Sequence, residues 1–391
     1  MLGILPLPRS VRKDTQSVVE TGMIYVHIPF CHSKCAYCDF YSTPDRRRMG
    51  AVVDRILEEY ELRKAELGEE PSRTLYFGGG TPSILPPELF ERLAEGLYRI
   101  GEISEFTIEV NPEDVSKEIT AHWRACGVNR VSMGIQSFID DELNAVGRRH
   151  TGEDALNAID TLREGGIENL SCDLIYGLPG QTAESWARSI DLLLRERPEH
   201  VSAYCLTYEP GTRLTRRLEA GLIEEASEAL VEKMYSILCE KMRSAGYEHY
   251  EISNFARQGY RSKHNSGYWT GQPYLGLGPG AHSLDKDGVR RFNPSDVRAY
   301  TAANEPFPIC IIDEEDETAR LNDILITALR TSEGLHTNSL PAHLQNELLA
   351  GAESFIRSGE LKAEGCRLYI PEEAMLRSDS ILRELLFDNS V

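Results

Sequence analysis

Between residues 23 and 207 two hydrophobic rhythms alternate along the chain. Short runs with apolar residues at every second position, ending in glycine or polar loops, predict strands. They are "MIYVHI" (Met23 to Ile28), "TLYF" (Thr74 to Phe77), "EFTIEV" (Glu105 to Val110), "NRVSMGI" (Asn129 to Ile135), "NLSCDLIY" (Asn169 to Tyr176) and "HVSAYCLT" (His200 to Thr207). Longer runs of period 3.6 between them predict helices over Met49 to Leu67, Pro87 to Tyr98, Ser116 to Cys126, Glu153 to Glu164 and Thr182 to Arg195, several opening on Ser, Thr or Pro and closing near Gly. Strand and helix in alternation imply an α/β fold with a parallel sheet. Six βα units stop short of eight, so periodicity alone leaves both an open doubly wound sheet and an incomplete barrel. Either one gathers function in the loops after the strands.

From about residue 210 to 308 the pattern loosens into one helix, Ala226 to Ala245, and a Gly- and aromatic-rich stretch. Beyond 309, short helices precede "GELKAEGCRLYIP", a hairpin with its turn at Glu364-Gly365 and the outline of a small winged-helix-like module. The expected divisions are a disordered extension over 1–22, or an upstream start ahead of Met23; a barrel over 23–250; a segment over 251–308 that closes it; and the module over 309–391.

Charge narrows the partners. Lys+Arg 42 against Asp+Glu 62 gives a net charge of −20, which repels phosphate backbones and anionic membrane surfaces. A winged helix invites a DNA reading, but residues 311–391 carry 7 basic and 16 acidic groups, a net of −9, so no nucleic acid is expected. No run approaches the roughly 20 apolar residues of a membrane span, and "MLGILPLP" is too short and too proline-rich for a secretory core. Nine cysteines are an odd number and three are crowded together, which fits a reducing cytoplasm better than a disulfide framework. Peripheral association with membrane-bound acceptors is compatible with this composition and not demanded by it.

The crowded cysteines lie in "YVHIPFCHSKCAYCDFYS", where Cys31, Cys35 and Cys38 follow the first strand. Thiolates favour zinc, copper(I) or iron-sulfur clusters. Structural zinc wants four ligands, and no second Cys or His pair follows at the usual spacing; His32 is badly placed to chelate beside its neighbour. An electron-transfer cluster normally takes four cysteines, whereas three on a [4Fe-4S] cluster leave one iron open. C-x3-C-x2-C with Tyr37 before its third cysteine resembles the signature of the radical S-adenosylmethionine (SAM) superfamily. The resemblance implies a [4Fe-4S] cluster on Cys31, Cys35 and Cys38, with SAM chelating the open iron.

Later strand ends then acquire candidate roles. "YFGGGTP" follows the second strand, where Gly78 to Gly80 let the backbone approach a ligand without a Cβ in the way. Glu109 ends the third strand, Gln136 the fourth, Arg148 follows in "GRRH", and Asp173 lies on the fifth. Each has an ordinary reading: Glu109 and Arg148 as a rim ion pair, Gln136 as a loop amide, Asp173 as a helix cap. Together they supply acceptors for an ammonium and ribose hydroxyls and a cation for a carboxylate.

The series "YVHIPFC", "GGGTP", "IEVNP", "GIQSF" and "DLIYGLPGQ" resembles one branch of that superfamily, the oxygen-independent coproporphyrinogen III dehydrogenases and the related HemW-type haem chaperones, over residues 23 to about 385. The resemblance implies an incomplete (β/α)6 TIM-like barrel and SAM contacts at Tyr25, Tyr37, Gly79, Gly80, Thr81, Glu109, Gln136, Arg148 and Asp173. In the dehydrogenases the motif continues to C-x3-C-x2-C-x-C behind a longer N-terminal segment. Here Phe40 stands at the extra cysteine's place and 24 residues precede Tyr25, both pointing to the chaperone.

"KHNSGYWTGQPYLGLGPGAHS" matches the chaperones' H-N-x-x-Y-W motif at His264, Tyr268 and Trp269. A loop imidazole can ligate haem iron and the two rings offer flat area to a porphyrin; alternatively His264 bonds to backbone and Trp269 packs into the barrel mouth. The glycines at 276, 278 and 280 do not make a dinucleotide fingerprint and are expected to shape a tight wall beside the site. Cys126, Cys172, Cys205, Cys239, Cys310 and Cys366 are expected to pack as small hydrophobes.

The expected function is therefore a haem chaperone that binds the cluster, SAM and haem and hands haem to an acceptor protein. The alternative is oxidative decarboxylation of coproporphyrinogen III. A flavodoxin- or ferredoxin-type reductant would serve a radical step.

Overall fold

The computed structural model describes residues 21–67, 72–98, 102–302, 310–313 and 317–387. Residues 1–20 of the expected extension lie outside them, while Thr21 and Gly22 already belong to the first strand.

The six expected strands are β1 (Thr21–Ile28), β2 (Ser72–Gly79), β3 (Glu102–Val110), β4 (Arg130–Gln136), β5 (Asn169–Tyr176) and β6 (His200–Cys205). Each pairs in parallel with the next. The helices between them are α1 (Met49–Arg63), α2 (Pro87–Tyr98), α3 (Lys117–Ala125), α4 (Asp140–Ala145), α5 (Gly152–Glu164) and α6 (Ala183–Glu196). α3 and α6 begin one residue past the Ser or Thr that announced them, because that residue is the cap, while α5 begins at Gly152, one residue before its expected start. Ser116 accepts from the Ile119 N–H, and Thr151 and Thr182 form reciprocal boxes with Asp154 and Ser185.

The sheet does not close on itself. The later elements are α7 (Arg213–Glu219), α8 (Glu228–Ser244), β7 (Glu248–Glu251), β8 (Asn254–Ala256), α9 (Lys263–Trp269), β9 (Tyr274–Leu277), β10 (His282–Leu284), β11 (Arg290–Phe292), α10 (Val297–Ala302) and β12 (Ile311–Asp313). They extend both flanks, giving the order β12-β11-β10-β9-β1-β2-β3-β4-β5-β6-β8-β7. This is an incomplete (β/α)6 barrel with borrowed edge strands. The expected boundary after residue 250 falls inside β7, and β12, expected in the C-terminal module, belongs to the large sheet. The remainder comprises α11 (Glu317–Leu329), β13 (Leu335–His336), α12 (Ala342–Ser358), β14 (Lys362–Glu364), β15 (Arg367–Tyr369) and α13 (Ser378–Leu385). Its antiparallel sheet runs β13-β15-β14, and the hairpin turns at Gly365-Cys366, one residue later than expected, with Gly365 at φ +63°.

Period-2 patterning sorts the barrel strands into two faces. Ile24, Val26, Leu75, Phe77, Phe106, Ile108, Val131, Met133, Leu170, Leu174 and Val201 form the core under the helices. The alternate positions are polar: Thr74 and Tyr76, Glu105 and Glu109, Arg130 and Ser132, Ser171 and Asp173, His200 and Ser202. The lumen is thus a hydrogen-bonding surface. Ser132 and Ser171 donate to Asp173, and Ser171 also bonds His200.

Strand β9 is locked beside β1 by one buried carboxylate. Glu59 of α1 accepts from Arg63 at 2.9 Å, Asn293 at 2.9 Å, the Gly278 N–H at 3.0 Å and the Tyr300 hydroxyl at 2.6 Å. Glu59→Ala leaves those donors buried and unpaired, so it is expected to lower unfolding free energy by roughly 3 kcal/mol in a denaturant titration. A loss under about 0.5 kcal/mol would show that this network does not hold β9 in place.

Candidate cluster and SAM site

The loop after β1 is fastened before any ligand arrives. Cys31 N–H donates to the Thr43 carbonyl at 3.1 Å, Ala36 N–H to Val146 at 2.9 Å, and Leu214 N–H to Ala36 at 2.9 Å. From β2, the Gly80 N–H donates to Ile28 at 2.9 Å and the Thr81 N–H to Phe30 at 2.7 Å. Packing within the chain gives the glycines a second reason to be bare. A Cβ on Gly80 would stand 2.6 Å from the Phe30 carbonyl oxygen, and one on Gly79, at φ +105°, 2.6 Å from the His27 ring. Their bareness admits the cysteine loop, and the N–H groups of Gly79, Gly80 and Thr81 are already engaged by Glu109, Ile28 and Phe30 respectively.

All three cysteines are half-buried. The Thr81 hydroxyl lies 3.4 Å from the Cys31 sulfur and an Arg148 nitrogen 3.5 Å from the Cys35 sulfur. Burial, reinforced by Cys35, pushes the Cys38 thiol up to about 11, so the thiolate form depends on metal. Burial likewise raises the Tyr37 phenol, against the opposing pull of Arg148. Phe40 is 72% exposed and contributes no ligand.

Arg148 is not the rim partner of Glu109. It donates to Asn111 at 2.7 Å and to the Gly134 carbonyl at 2.5 Å, and lines a hollow with His32, Ser33, Cys35, Thr81 and Asn111. Glu109 instead accepts from Tyr76 at 2.8 Å and Gly79 at 3.1 Å. Gln136 sits at φ +69° beside a register shift in β4, a strained turn that brings its amide over Gly134. Asp173 caps no helix; it points among Ser132, Ser171 and Ser202. Tyr25 bonds His27 at 3.2 Å. Asn111 and Tyr76 were missed: the first reads as an ordinary turn residue before proline, the second as one more strand aromatic.

The H-N-x-x-Y-W segment is a helix, not a loop, and it lies toward the opposite end of the strands. His264 is buried, with Nδ1 2.8 Å from the Thr74 hydroxyl and Nε2 2.9 Å from the Tyr268 hydroxyl. Neither partner is backbone. Glu105 accepts from the Lys263 and His264 N–H groups at the helix start. Burial, with Arg130 nearby, drives the His264 imidazole down to about 3 and keeps it neutral. Its ring stacks on Tyr76 at 5.0 Å. The Trp269 indole nitrogen is buried without a hydrogen-bond partner. Gly276 and Gly278 do make a tight wall, against His282 and His27. Cys205 and Cys366 are exposed and so do not pack as small hydrophobes.

Residues 25–193 match the radical SAM superfamily. The heme chaperone HemW of Bacillus subtilis (strain 168) is 35% identical over 80% of this chain and 84% of its own length. The chain belongs to the HemW family. HemW of Mycobacterium tuberculosis (strain ATCC 25618 / H37Rv) is 33% identical over 93% of this chain and 94% of its own. Coproporphyrinogen III oxidase HemN from Escherichia coli superposes with a TM-score of 0.79 over 97% of this chain and 92% of that one, at 22% identity, a likeness of fold. Membership of the radical SAM superfamily implies a [4Fe-4S] cluster and SAM. No helix of the described residues is long and apolar enough to cross a membrane.

Electrostatics at Glu109 make the site responsive to a cationic ligand. Burial pushes its carboxyl from 4.5 up to about 7, with Asp173 adding to the rise and Tyr76 opposing it. The folded chain thus keeps a proton that the unfolded chain releases between those values, so stability is full below pH 4.5 and falls as pH climbs to 7. Glu109→Gln is expected to recover about 2 kcal/mol of ligand-free stability at pH 8 while weakening SAM binding about tenfold. Unfolding titrations at pH 5 and 8 check the first effect and equilibrium dialysis the second; an unchanged pH slope would relieve Glu109 of this role.

Proposed function

We propose that this chain is a haem chaperone whose barrel mouth holds a [4Fe-4S] cluster and SAM and whose cargo, haem, passes to a haem-requiring acceptor protein. The single observation that carries the reading is the three-cysteine loop with an exposed Phe40 where the dehydrogenases place a further cysteine. The curated relatives named heme chaperone HemW support the cargo.

Cys31, Cys35 and Cys38 would hold the cluster and leave one iron without a protein ligand, which would offer a site for the amine and carboxylate of SAM and a source of an electron. Around it the chain's own groups divide the ligand. Gly79, Gly80 and Thr81 offer acceptors, since their N–H groups are engaged. Glu109 would accept from the N–H of the amine, Arg148 would face the carboxylate and Gln136 and Asp173 the ribose hydroxyls, while Tyr25 and Tyr37 wall the pocket. A flavodoxin- or ferredoxin-type protein is the proposed electron donor.

Haem ligation by His264 carries a geometric condition. Its Nε2 becomes available only when Tyr268 lets go, and its Nδ1 stays with Thr74. Tyr268 and Trp269 then lie against the porphyrin, whose propionate would satisfy the indole N–H. Two variants separate a ligand from a pin in a haem titration. His264→Ala is expected to lose the nitrogen-ligated spectrum and about tenfold in affinity, whereas Tyr268→Phe, which frees Nε2, binds at least as tightly as wild type. Unchanged spectra in both would leave His264 a purely structural residue. For the whole reading, cluster-loaded protein given SAM, reductant and coproporphyrinogen III is expected to form no protoporphyrinogen, and haem-loaded protein to transfer haem to an apo-acceptor; stoichiometric decarboxylation would defeat it.

A further inference from the structure

We propose that Cys239, His249 and Glu372 form a second metal site, for zinc or a similar divalent cation, that pins the C-terminal module to the flank of the barrel. Their ligand atoms all lie within 4.8 Å of one another. They arrive from separate elements: Cys239 from α8, His249 from β7, and Glu372 from the 3-10 turn Glu372–Arg377 that precedes α13. Thiolate, imidazole and carboxylate together are a zinc donor set, with water as a fourth ligand.

The internal spacing also suits an ion. His249 Nδ1 stands 3.4 Å from Glu372 Oε1. Two ligands each about 2.0 Å from one tetrahedral zinc are about 3.3 Å apart. The surroundings complete the arrangement. His249 directs its other nitrogen at the Ile252 carbonyl, 3.4 Å away, the outer partner that metal-bound imidazoles usually have. Its ring is clamped flat on Phe255 at 4.1 Å, with Tyr235 at its edge. Arg243 holds the second carboxylate oxygen of Glu372, so Oε1 is presented to the ion. Bound to the ion as thiolate and carboxylate, Cys239 and Glu372 would together neutralise its charge.

The test counts metals in the full chain with its cluster rebuilt, equilibrated in buffered micromolar zinc. Elemental analysis is expected to find one zinc per chain beside the cluster iron. Cys239→Ser and Glu372→Gln should each lower zinc affinity at least tenfold without changing iron content. Cobalt added to the full chain carrying Cys31→Ser, Cys35→Ser and Cys38→Ser should give a thiolate-to-cobalt absorption band that Cys239→Ser abolishes. Arg243→Gln, which keeps all three ligands, should retain zinc with roughly tenfold weaker binding. Zinc-free wild-type protein, or zinc and cobalt binding indifferent to Cys239→Ser, overturns the site. The wild-type count stands even if a variant fails to fold.

Discussion

The hydrogen bonds from Gly80 and Thr81 to Ile28 and Phe30 are the constraint on which the site depends. They continue the β1–β2 pairing past the end of the ladder, where Ile28 meets Gly79, and hold the cysteine loop against the next strand. Chelating thiolates must converge on one cluster, and a loop of this length could reach many shapes. Anchors at Thr43, Val146, Leu214 and Thr81 select one. Ordering entropy is thereby met by folding rather than at the moment of cluster binding.

Most of the barrel was legible because its strands obey a strict two-residue period and its helices announce their caps. β5 and α2 match their sequence-based bounds residue for residue. The borrowed strands were not legible. β8, β10, β11 and β12 have three residues each, too few for any period to register. Their placement depends instead on long-range partners such as Glu59 and Asn293, distant in sequence and adjacent only after folding.

The site divides the same way. Cysteine spacing singled out three candidate cluster ligands, and strand-end positions singled out Glu109, Gln136 and Asp173 as candidates around them. What Arg148 binds was hidden, because Asn111 and the Gly134 carbonyl become its neighbours only through the turns that follow β3 and β4. The H-N-x-x-Y-W segment was recognised by its residues and misjudged in its backbone. His264 to Trp269 is too short for helical periodicity, and its helix starts from a side-chain cap at Ser262 and a carboxylate, Glu105, on another element.

Tyr76 joins two regions that the sequence keeps apart. One face of its ring lies on His264 while its hydroxyl is held by Glu109. Any movement of His264 must therefore shift a phenol whose far end helps set the charge of Glu109. The two ends of the barrel would not respond independently, and the lumen becomes a lever with its fulcrum at mid-strand.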